Sequence, residues 1–298
     1  MSESKVGLGG GPLGDDAVSD ADAVRLIHAA LELGVRVIDT APSYGSSERR
    51  IGLALRDRRA RATLVTKGGY GVPGVADWTA ECIARGVDQA LTTIGTDHLD
   101  AFVLHSCDRA VLARGDLFAP MLRAKEQGKV RAIGYSGDGD ALDWAVRCEA
   151  FDLVECSLNP FDQRALRDAI PEARRRGLQV LAKRTLGNAP WTARERPARF
   201  DAGLYWDRMR AMFPDDGVAP TAELATRFVA HAPGVTAALV GTRAIAHLRA
   251  AVDAAALGPL PEAEEAPLRE RFGKLGADWA GIVLRGARRR TWSTGADA

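Results

Sequence analysis

Four side chains that suit proton transfer occur at related places in the chain. Asp39, Lys67 and His105 each end or directly follow a short apolar segment, and Tyr44 follows the first of these segments by five residues. A phenol with a pKa of about 10 is a poor acid–base catalyst at neutral pH unless a neighbour stabilises the phenolate. The Lys67 ammonium can do this, and Asp39 can keep that ammonium charged and oriented. His105 can donate to a substrate oxygen or assist the proton transfer.

This set of side chains indicates proton donation to a carbonyl oxygen during hydride delivery. No side chain supplies a hydride, so the pattern implies a nicotinamide cofactor. Taken singly, each residue also has a structural interpretation: Asp39 as a loop cap, Lys67 in a rim salt bridge, His105 as a hydrogen-bonded barrel residue and Tyr44 in a pocket wall. Their joint placement at successive strand ends favours catalysis.

The elements that must position these residues alternate between short Val/Ile/Leu-rich segments and longer amphipathic ones, the βαβα pattern of a parallel sheet. Eight strands are predicted, at 6–9, 35–39, 62–66, 99–104, 130–135, 153–157, 178–182 and 235–240. Helices are predicted at 21–33, 48–56, 79–91, 117–127, 141–147, 166–176, 222–232 and 245–255. Gly34, Gly128 and Gly177 each follow a predicted helix, where a left-handed cap is expected.

Eight β/α units in 298 residues favour a single closed (β/α)8 barrel, the TIM-barrel fold of the α/β class, spanning 1–298. Such a barrel takes roughly 250 residues, which leaves about 50. We assign the surplus to an insertion at about 188–220 and a C-terminal extension from about 261. A Rossmann-type open sheet is the alternative, with Gly9 to Gly14 as its Gly-rich turn, but Pro12 interrupts that turn.

The insertion has two interpretations, and the C-terminal segment has one for each of its two parts. The insertion is either a lid or pocket wall on the catalytic face, or an extra helix at about 200–213 packed outside the barrel. The C-terminal stretch around Phe272 and Trp279 could cover the barrel floor, and the arginines at 288–290 are predicted to form a solvated tail.

Composition narrows the partners. Lys+Arg 40 against Asp+Glu 39 gives a net charge of +1, which does not favour nucleic acid or an anionic membrane. The chain has no apolar stretch near the ~20 residues of a membrane span and no apparent leader. Four cysteines without CxxC spacing suggest a reduced, cytoplasmic protein, with Cys107 either a reactive thiol or an ordinary small side chain. No metal site is predicted.

The sequence resembles the aldo-keto reductase superfamily, most closely its bacterial members with short loops. The segment VIDTAPSYG at 37–45, continuing through 47–55, is similar to the first signature of the family. Thr66-Lys67-Gly68, VLHS at 103–106, GKVRAIGYS at 128–136 and the closing Gly241-Thr242-Arg243 extend the match over nearly the whole chain. The resemblance implies Tyr44 as general acid, with Asp39, Lys67 and His105 completing a catalytic tetrad.

The resemblance also implies where a cofactor binds. Ser136 matches a carboxamide-binding Ser, whereas Gly137 and Glu155 stand where the family has Asn and Gln. A carboxylate accepts hydrogen bonds from an amide NH2 but cannot donate to its oxygen. The segment from Gly241 resembles a phosphate loop that enters a helix, so NADPH is preferred and NADH remains possible. The cofactor-binding residues predicted are Gly10, Ser136, Glu155, Lys183, Leu186, Gly241, Thr242, Arg243 and His247.

Two departures from the family pattern carry further expectations. Lys183 replaces an aromatic residue, and it either meets the cofactor's pyrophosphate or a substrate anion, or pairs with Glu155. We favour the pair, since an unpaired Glu155 near the barrel mouth would be costly. Met1 lies five residues before the first predicted strand, so we do not expect the N-terminal hairpin that often plugs the barrel floor in this family.

The predicted function is an NADPH-dependent oxidoreductase that interconverts an aldehyde or ketone and an alcohol, with a small molecule as its only predicted partner class. Two alternatives stay open. One is a barrel that binds nicotinamide nucleotide without turnover, as a sensor or accessory subunit. The other is lyase or epimerase chemistry that uses Glu155 and Lys183. Substrate identity and oligomeric state cannot be read from the sequence.

Overall fold

Eight parallel strands close into a barrel in the order in which they occur along the chain. The computed structural model describes residues 3–214, 221–276 and 278–281. The strands are β1 Val6–Gly9, β2 Val37–Asp39, β3 Thr63–Gly68, β4 Leu99–His105, β5 Val130–Ser136, β6 Leu153–Ser157, β7 Gln179–Lys183 and β8 Ala237–Gly241. All eight predicted strands are confirmed, with ends that shift by at most two residues. The closed barrel excludes the open Rossmann-type sheet.

Helices surround the barrel and follow the predicted pattern. They are α1 Asp20–Glu32, α2 Ser47–Leu55, α3 Ala80–Ile94, α4 Arg109–Ala113, α5 Phe118–Glu126, α6 Gly139–Ala145, α7 Ala169–Arg175, α8 Phe200–Met212, α9 Ala222–Ala230, α10 Ile245–Ala256 and α11 Glu262–Leu275. The short α4 was not predicted; Asp108 caps it by accepting a hydrogen bond from the Val111 amide. Gly34, Gly128 and Gly177 have φ angles of 83°, 73° and 75°, which confirms their left-handed conformation.

The barrel interior is filled by small and branched apolar side chains that form one cluster. These inward-facing residues are Val65, Ala101, Val103, Leu153, Leu181, Ala237 and Leu239. Gly7 on β1 completes the packing, because a Cβ there would lie 2.7 Å from Leu239 Cδ2. The interior is therefore a packed core and not a channel.

The alternation of side chains along each strand determines which polar residues face the barrel axis. Residues i and i+2 of a strand point to the same side. Lys67, His105, Glu155 and Lys183 each lie two residues beyond an inward-facing apolar residue of the same strand. The apolar interior thus continues directly into a polar layer at the C-terminal ends of the strands.

A separate aromatic cluster lies beyond the C-terminal ends of β6 and β7. Its buried members are Phe161, Tyr205, Met209, Met212 and Phe272, with Trp191, Leu204, Trp206, Phe213 and Trp279 packed against them. Because Phe161 follows β6 and Trp191 follows β7, this cluster is on the same side of the barrel as the polar layer. Arg208 of α8 ties it together: its guanidinium lies 3.5 Å from Asp162 and 5.1 Å from the centroid of Trp279.

The aromatic cluster tests what was expected of the C-terminal stretch and of the insertion. The expectation that the C-terminal stretch covers the barrel floor is wrong, because Phe272 and Trp279 pack against α8 beyond the opposite end of the strands. The insertion contains the helix predicted at about 200–213, which is α8. This helix packs in the aromatic cluster, on the side of the barrel where the polar layer lies. Residues 215–220 of the insertion and the arginines at 288–290 lie outside the described residues.

No helix in the described ranges is long and apolar enough to cross a membrane. The four cysteines are free, and Cys107 is buried. Burial raises the pKa of the Cys107 thiol to about 12. The reactive-thiol interpretation of Cys107 therefore has no support, since the thiolate is the nucleophilic form.

Candidate active site

The structure places every predicted site residue at the C-terminal end of the barrel or in a loop or helix that follows it. The inward-facing members are Asp39, Lys67, His105, Ser136, Glu155 and Lys183, with Tyr44 in the loop after β2. Strand register brings three of them side by side, because His105 pairs with Ser136 and Ser136 pairs with Glu155. This is the end of a (β/α)8 barrel at which catalytic residues lie.

Lys67 is at the centre of this group. Its ammonium is fully buried and donates to Asp39 on one side and to Glu155 Oε2 on the other, the latter at 2.7 Å. The sequence predicts the contact with Asp39, but not the contact with Glu155. Two buried carboxylates therefore share one ammonium.

The three charges of this group shift one another's pKa values. Burial, and after it the Glu155 carboxylate, raises the pKa of Asp39, although Lys67 opposes the shift. Burial also disfavours ionised Glu155, but Lys67 and Lys183 outweigh it and hold the pKa of Glu155 below its usual range. Burial disfavours charged Lys67, and the two carboxylates overcome it and raise the pKa of Lys67. The ammonium is therefore charged, and the two carboxyls hold an exchangeable proton between them.

The Tyr44 ring lies beside this ammonium. Lys67 Nζ is 6.0 Å from the ring centroid, and the rings of Tyr44 and His105 meet edge to face with 5.9 Å between centroids. Burial raises the pKa of the Tyr44 hydroxyl, which Lys67 opposes and both carboxylates reinforce. Tyr44 is therefore a protonated phenol at neutral pH.

The backbone of Tyr44 is held by close packing against the loop after β1. A 3-10 helix at Gly11–Gly14 follows β1, and a Cβ on Gly14 would lie only 1.6 Å from the Tyr44 carbonyl oxygen. The Tyr44 amide donates to the Ala41 carbonyl at 3.0 Å, and the Ser47 amide donates to the Tyr44 carbonyl at 3.1 Å. Glycine at position 14 thus permits the loop that presents Tyr44 to the barrel mouth.

His105 is a neutral imidazole with a partner that the sequence did not predict. Its Nδ1 lies 2.8 Å from the Tyr70 hydroxyl, and the two rings stack with 5.4 Å between centroids. Burial, followed by the positive charge of Lys67, lowers the pKa of His105 to about 3. The signal for Tyr70 was its position three residues after Lys67, on the same rim.

The pKa of His105 predicts a pH dependence of stability. His105 has a usual pKa of 6.5 when unfolded and about 3 when folded, so only the unfolded chain binds this proton between those values. The free energy of unfolding should therefore fall as the pH drops from about 6.5 toward about 3, by at most about 1.4 kcal/mol per pH unit from this group. Urea titrations at about pH 7 and about pH 4.5 should show that the free energy of unfolding falls less in His105→Gln than in the unaltered protein. Equal drops in the two proteins would contradict the assignment.

The prediction of an ion pair between Lys183 and Glu155 is wrong. Lys183 Nζ donates to Ser136 Oγ at 3.0 Å, and Ser136 Oγ donates to Glu155 Oε1 at 3.0 Å, so a hydroxyl lies between the two charges. The reason is strand register: Glu155 pairs with Leu181, and Lys183 pairs with Ser157, one inward-facing layer nearer the mouth. Lys67 reaches Glu155 from the side of β3 instead.

A second buried network above Glu155 was also not predicted. The Asp138 carboxylate accepts from the Ser157 amide at 2.7 Å and from Ser157 Oγ at 2.9 Å. Arg184 Nη1 donates to Ser157 Oγ at 2.6 Å and lies 3.4 Å from Asp138. Lys183 lies 3.8 Å from the same carboxylate. The only sequence signal for Asp138 is its position two residues after Ser136.

Gly137 is explained by the packing of Tyr135. The Tyr135 hydroxyl donates to the Cys107 carbonyl at 2.8 Å, and a Cβ on Gly137 would lie 2.0 Å from that hydroxyl oxygen. The Gly137 amide donates to the Glu155 carbonyl at 2.9 Å, which holds the backbone in place. The space of a larger side chain at position 137 is therefore filled by the Tyr135 ring.

This contact makes Gly137→Ala a destabilising change. Added volume in a well-packed region costs about 1–3 kcal/mol of the free energy of unfolding. Gly86→Ala in α3 is the matched control, because its Cβ would have only ordinary contacts at 3.7 Å and beyond. There Ala should stabilise the protein by about 1 kcal/mol, since it favours helix over Gly. Urea unfolding of both variants checks the contrast, and equal effects would refute the packing argument.

The remaining predicted residues lie near the ends of β1 and β8, except Leu186. The Gly10 amide donates to the Asp39 carbonyl at 2.6 Å, and Gly9 pairs with Gly241. Thr242 Oγ1 accepts from the Ala244 amide at 3.1 Å, and exposed Arg243 donates to exposed Asp15 at 3.0 Å. His247 is exposed on α10. Leu186, after β7, is half-buried and packs against the core between barrel and helices.

Comparison with known proteins agrees with this geometry. A sequence model of the aldo/keto reductase family matches residues 5–270, so the chain belongs to the aldo/keto reductase family. It is accordingly an NAD(P)H-dependent oxidoreductase of carbonyl and alcohol substrates. Among the residues that the structure describes, no group of three or more metal-ligating side chains occurs.

Individual relatives cover most of the chain. The 6-dehydroglucose reductase of Novosphingobium aromaticivorans is 27% identical over 274 residues, which are 85% of this chain and 87% of that protein. A solved putative aldo-keto reductase of Pseudomonas aeruginosa is 28% identical with a TM-score of 0.69, covering 86% of this chain and 91% of the other. A Klebsiella pneumoniae aldo/keto reductase solved with NADP and acetate shares the fold, with a TM-score of 0.69 at 23% identity, covering 89% of this chain and 90% of the other.

Proposed function

We propose that this protein reduces an aldehyde or ketone with NADPH, and that Tyr44 donates the proton to the carbonyl oxygen. The observation that carries the proposal is the position of the Tyr44 ring, which adjoins both the Lys67 ammonium and the His105 imidazole. The arrangement gives a phenol one cationic neighbour and one neutral hydrogen-bonding neighbour. That is the combination a proton donor to a developing alkoxide requires.

Each residue has a distinct role in the proposal. Tyr44 delivers its hydroxyl proton, and the Lys67 ammonium stabilises the phenolate that remains. Asp39 holds Lys67 in place from β2. When the Tyr70 hydroxyl donates to His105 Nδ1, the imidazole proton lies on Nε2, from which it can donate to the substrate oxygen.

The phosphate-bearing half of the cofactor fits the end of β8. Helix α10 begins at Ile245 without a capping side chain and without an acidic residue in its first turn. Its first backbone amides therefore attract an anion. Arg243 is exposed and its partner Asp15 is exposed, so a phosphate can replace this weak ion pair. Gly10, Gly241, Thr242 and His247 are proposed to line this side, and Arg243 favours NADPH over NADH.

Ser136, Glu155 and Lys183 would hold the nicotinamide half, with Leu186 in the loop that follows β7. The Glu155 carboxylate can accept a hydrogen bond from a carboxamide NH2, and Lys183 retains donors for the carboxamide oxygen or a phosphate. The cofactor supplies the hydride when it is bound. The relative from Klebsiella pneumoniae, solved with NADP, supports this choice of cofactor.

The alternatives from the sequence have less support. A base role for Glu155 in lyase or epimerase chemistry conflicts with its bonds to Lys67 and Ser136. A nucleotide-binding barrel without turnover would leave the grouping of Tyr44, Lys67, Asp39 and His105 without a purpose. The substrate class remains open within carbonyl compounds, and the relative that reduces 6-dehydroglucose makes sugar-like carbonyls the first choice.

Two measurements on the unaltered protein test the proposal. Titration of tryptophan fluorescence with NADPH and with NADH should show saturable quenching, tighter for NADPH. Absorbance at about 340 nm should then fall when a panel of aldehydes, ketones and sugar-derived carbonyls is added, with one alcohol formed per NADPH consumed. Absence of NADPH binding would overturn the proposal, as would binding without consumption across the panel.

A further inference from the structure

Glu155 is a second carboxylate on the Lys67 ammonium, in addition to Asp39. Proton transfer by Tyr44 requires only one carboxylate to hold Lys67. Asp39 alone would neutralise Lys67, yet Glu155 contributes a second carboxylate at 2.7 Å from the same ammonium. Both carboxylates are buried, and burying two carboxylates in contact with a single ammonium is costly. The cost suggests that the second carboxylate has an effect on the site.

We propose that Glu155 is a positioning residue that acts on Tyr44 through Lys67: the second carboxylate offsets part of the field of the ammonium, so that Tyr44 stays a phenol to higher pH and proton abstraction by its phenolate begins only at higher pH. This inference rests on the proposed function. Carbonyl reduction requires Tyr44 as a phenol, and alcohol oxidation requires it as a phenolate or with an equivalent proton acceptor. Glu155 therefore shifts the range of pH in which each direction operates.

The charge balance of the cluster explains the direction of the effect. With a proton shared between Asp39 and Glu155, the cluster of Lys67 and two carboxyls is neutral. Once that proton is lost at higher pH, the cluster carries one negative charge beside Tyr44, and a neighbouring negative charge disfavours the phenolate. Without Glu155, the pair of Asp39 and Lys67 would stay neutral over the same range.

Other titratable and charged groups surround the site on every neighbouring element. They are Asp39 on β2, Tyr44 after β2, Glu48 on α2, Tyr70 after β3, His105 on β4, Asp138 after β5, Cys156 on β6, Lys183 on β7 and Arg184 after β7. His105 stays neutral across the working range because of burial, and Asp138 is bound by Ser157 and Arg184. Lys183 is separated from Glu155 by the Ser136 hydroxyl. Asp39 and Glu155 are thus the groups whose shared proton changes the field on Tyr44.

The experiment compares the unaltered protein with Glu155→Gln, in which an amide of the same size replaces the carboxylate. Profiles of kcat/KM against pH are measured for carbonyl reduction and for alcohol oxidation. In Glu155→Gln both profiles should move to lower pH by roughly one unit, and by the same amount, since one group titrates in both directions. Alcohol oxidation below this range should become about tenfold faster.

A readout independent of turnover is the ionisation of Tyr44 itself. The chain has four tyrosines, so labelling with [13Cζ]tyrosine gives four signals, and Tyr44→Phe identifies the one from Tyr44. In the protein without cofactor, the Tyr44 signal of Glu155→Gln should titrate at a lower pH than that of the unaltered protein. Glu155→Asp, which keeps the charge, should restore the original titration in part.

Glu172→Gln is the matched control, because it removes a carboxylate from the outer helix α7. Its profiles and its Tyr44 signal should not move. If Glu155→Gln does not fold, Glu155→Met removes the same charge with a side chain of similar length. Unmoved profiles and an unmoved Tyr44 signal in a charge-removing variant would overturn the inference, even if the unaltered protein reduces carbonyls. Failure of the unaltered protein to consume NADPH would instead overturn the proposed function.

Discussion

Tyr44→Phe should lower kcat for carbonyl reduction by about 10²- to 10⁴-fold, the usual contribution of a positioned proton donor. The change removes one hydroxyl and keeps the ring that meets His105 edge to face. The loop contacts of Tyr44 are made by its backbone, so the fold and the affinity for NADPH should be nearly unchanged. Steady-state rates, NADPH titration and thermal unfolding check the three parts of this prediction.

Tyr205→Phe is the matched control for that variant. Tyr205 lies on α8 in the aromatic cluster, so its hydroxyl is outside the group formed by Tyr44, Lys67, Asp39 and His105. This variant should retain the original kcat. If both variants were equally active, Tyr44 would not be the proton donor, and if Tyr44→Phe lost NADPH binding, the loss of rate would have another cause.

Lys67→Met should affect stability and activity together. It leaves Asp39 and Glu155 buried side by side without the cation they share. Removing one partner from a buried ion cluster typically costs about 3–5 kcal/mol of the free energy of unfolding. The variant should also reduce carbonyls at a small fraction of the original rate, because the cation beside the Tyr44 ring is lost and a Tyr44 phenolate is no longer stabilised by it.

The stability loss in Lys67→Met should depend on pH in a defined direction. Two buried carboxyls without a cation have raised pKa values in the folded state, so the unfolded chain loses its protons first as the pH rises. The destabilisation should be small below about pH 4 and should grow toward neutral pH. Urea unfolding across this range checks the trend, and a loss that is constant with pH would contradict it.

Two further variants separate stability from catalysis at Lys67. The triple variant Lys67→Met, Asp39→Asn, Glu155→Gln removes all three charges, so it should recover much of the stability and none of the activity. Lys125→Met removes a half-buried lysine that pairs with Asp152 at the surface, and it should cost less than about 1 kcal/mol. Recovery of activity in the triple variant would show that the Lys67 charge is dispensable.

The barrel could be predicted from the sequence because strand and helix periodicities are local properties of the chain. The segments 6–9 and 153–157 match β1 and β6 to the residue, and polar residues at strand ends identified the mouth. The period of two then places Lys67 and Glu155 on the inward side, above Val65 and Leu153. The proximity of these residues follows from strand order once the barrel closes.

Other features depend on distances between side chains that are remote in sequence. The pair of Lys183 and Glu155 was expected from adjacent strands, but register places Lys183 one layer nearer the mouth. Lys67 and Glu155 are 88 residues apart on β3 and β6, which are not neighbouring strands, so strand order brings them to the same mouth but does not predict the direct hydrogen bond between them. The position of Phe272 and Trp279 against α8 likewise depends on how the C-terminal segment crosses the molecule.

The packing around Gly137 is a third feature that the sequence does not predict. The sequence shows only that Gly137 differs from the family pattern, which suggested altered cofactor binding. The structure gives a steric reason, since the Tyr135 hydroxyl occupies the place of a Cβ at position 137. Tyr135 and Gly137 are two positions apart in sequence, and their steric dependence follows only from the orientation of the Tyr135 ring.

The proposed reaction transfers a hydride from NADPH to a carbonyl carbon, and isotope labelling follows that hydride into the product. Single turnovers are run with NADPH that carries deuterium at both hydrogens of nicotinamide C4 and a carbonyl compound chosen from the panel, for the unaltered protein and for Tyr44→Phe. Hydride transfer with proton donation by Tyr44 should yield an alcohol that carries deuterium on the former carbonyl carbon, formed at least a hundredfold more slowly by Tyr44→Phe. An alcohol without deuterium, or the same rate in both proteins, would contradict it.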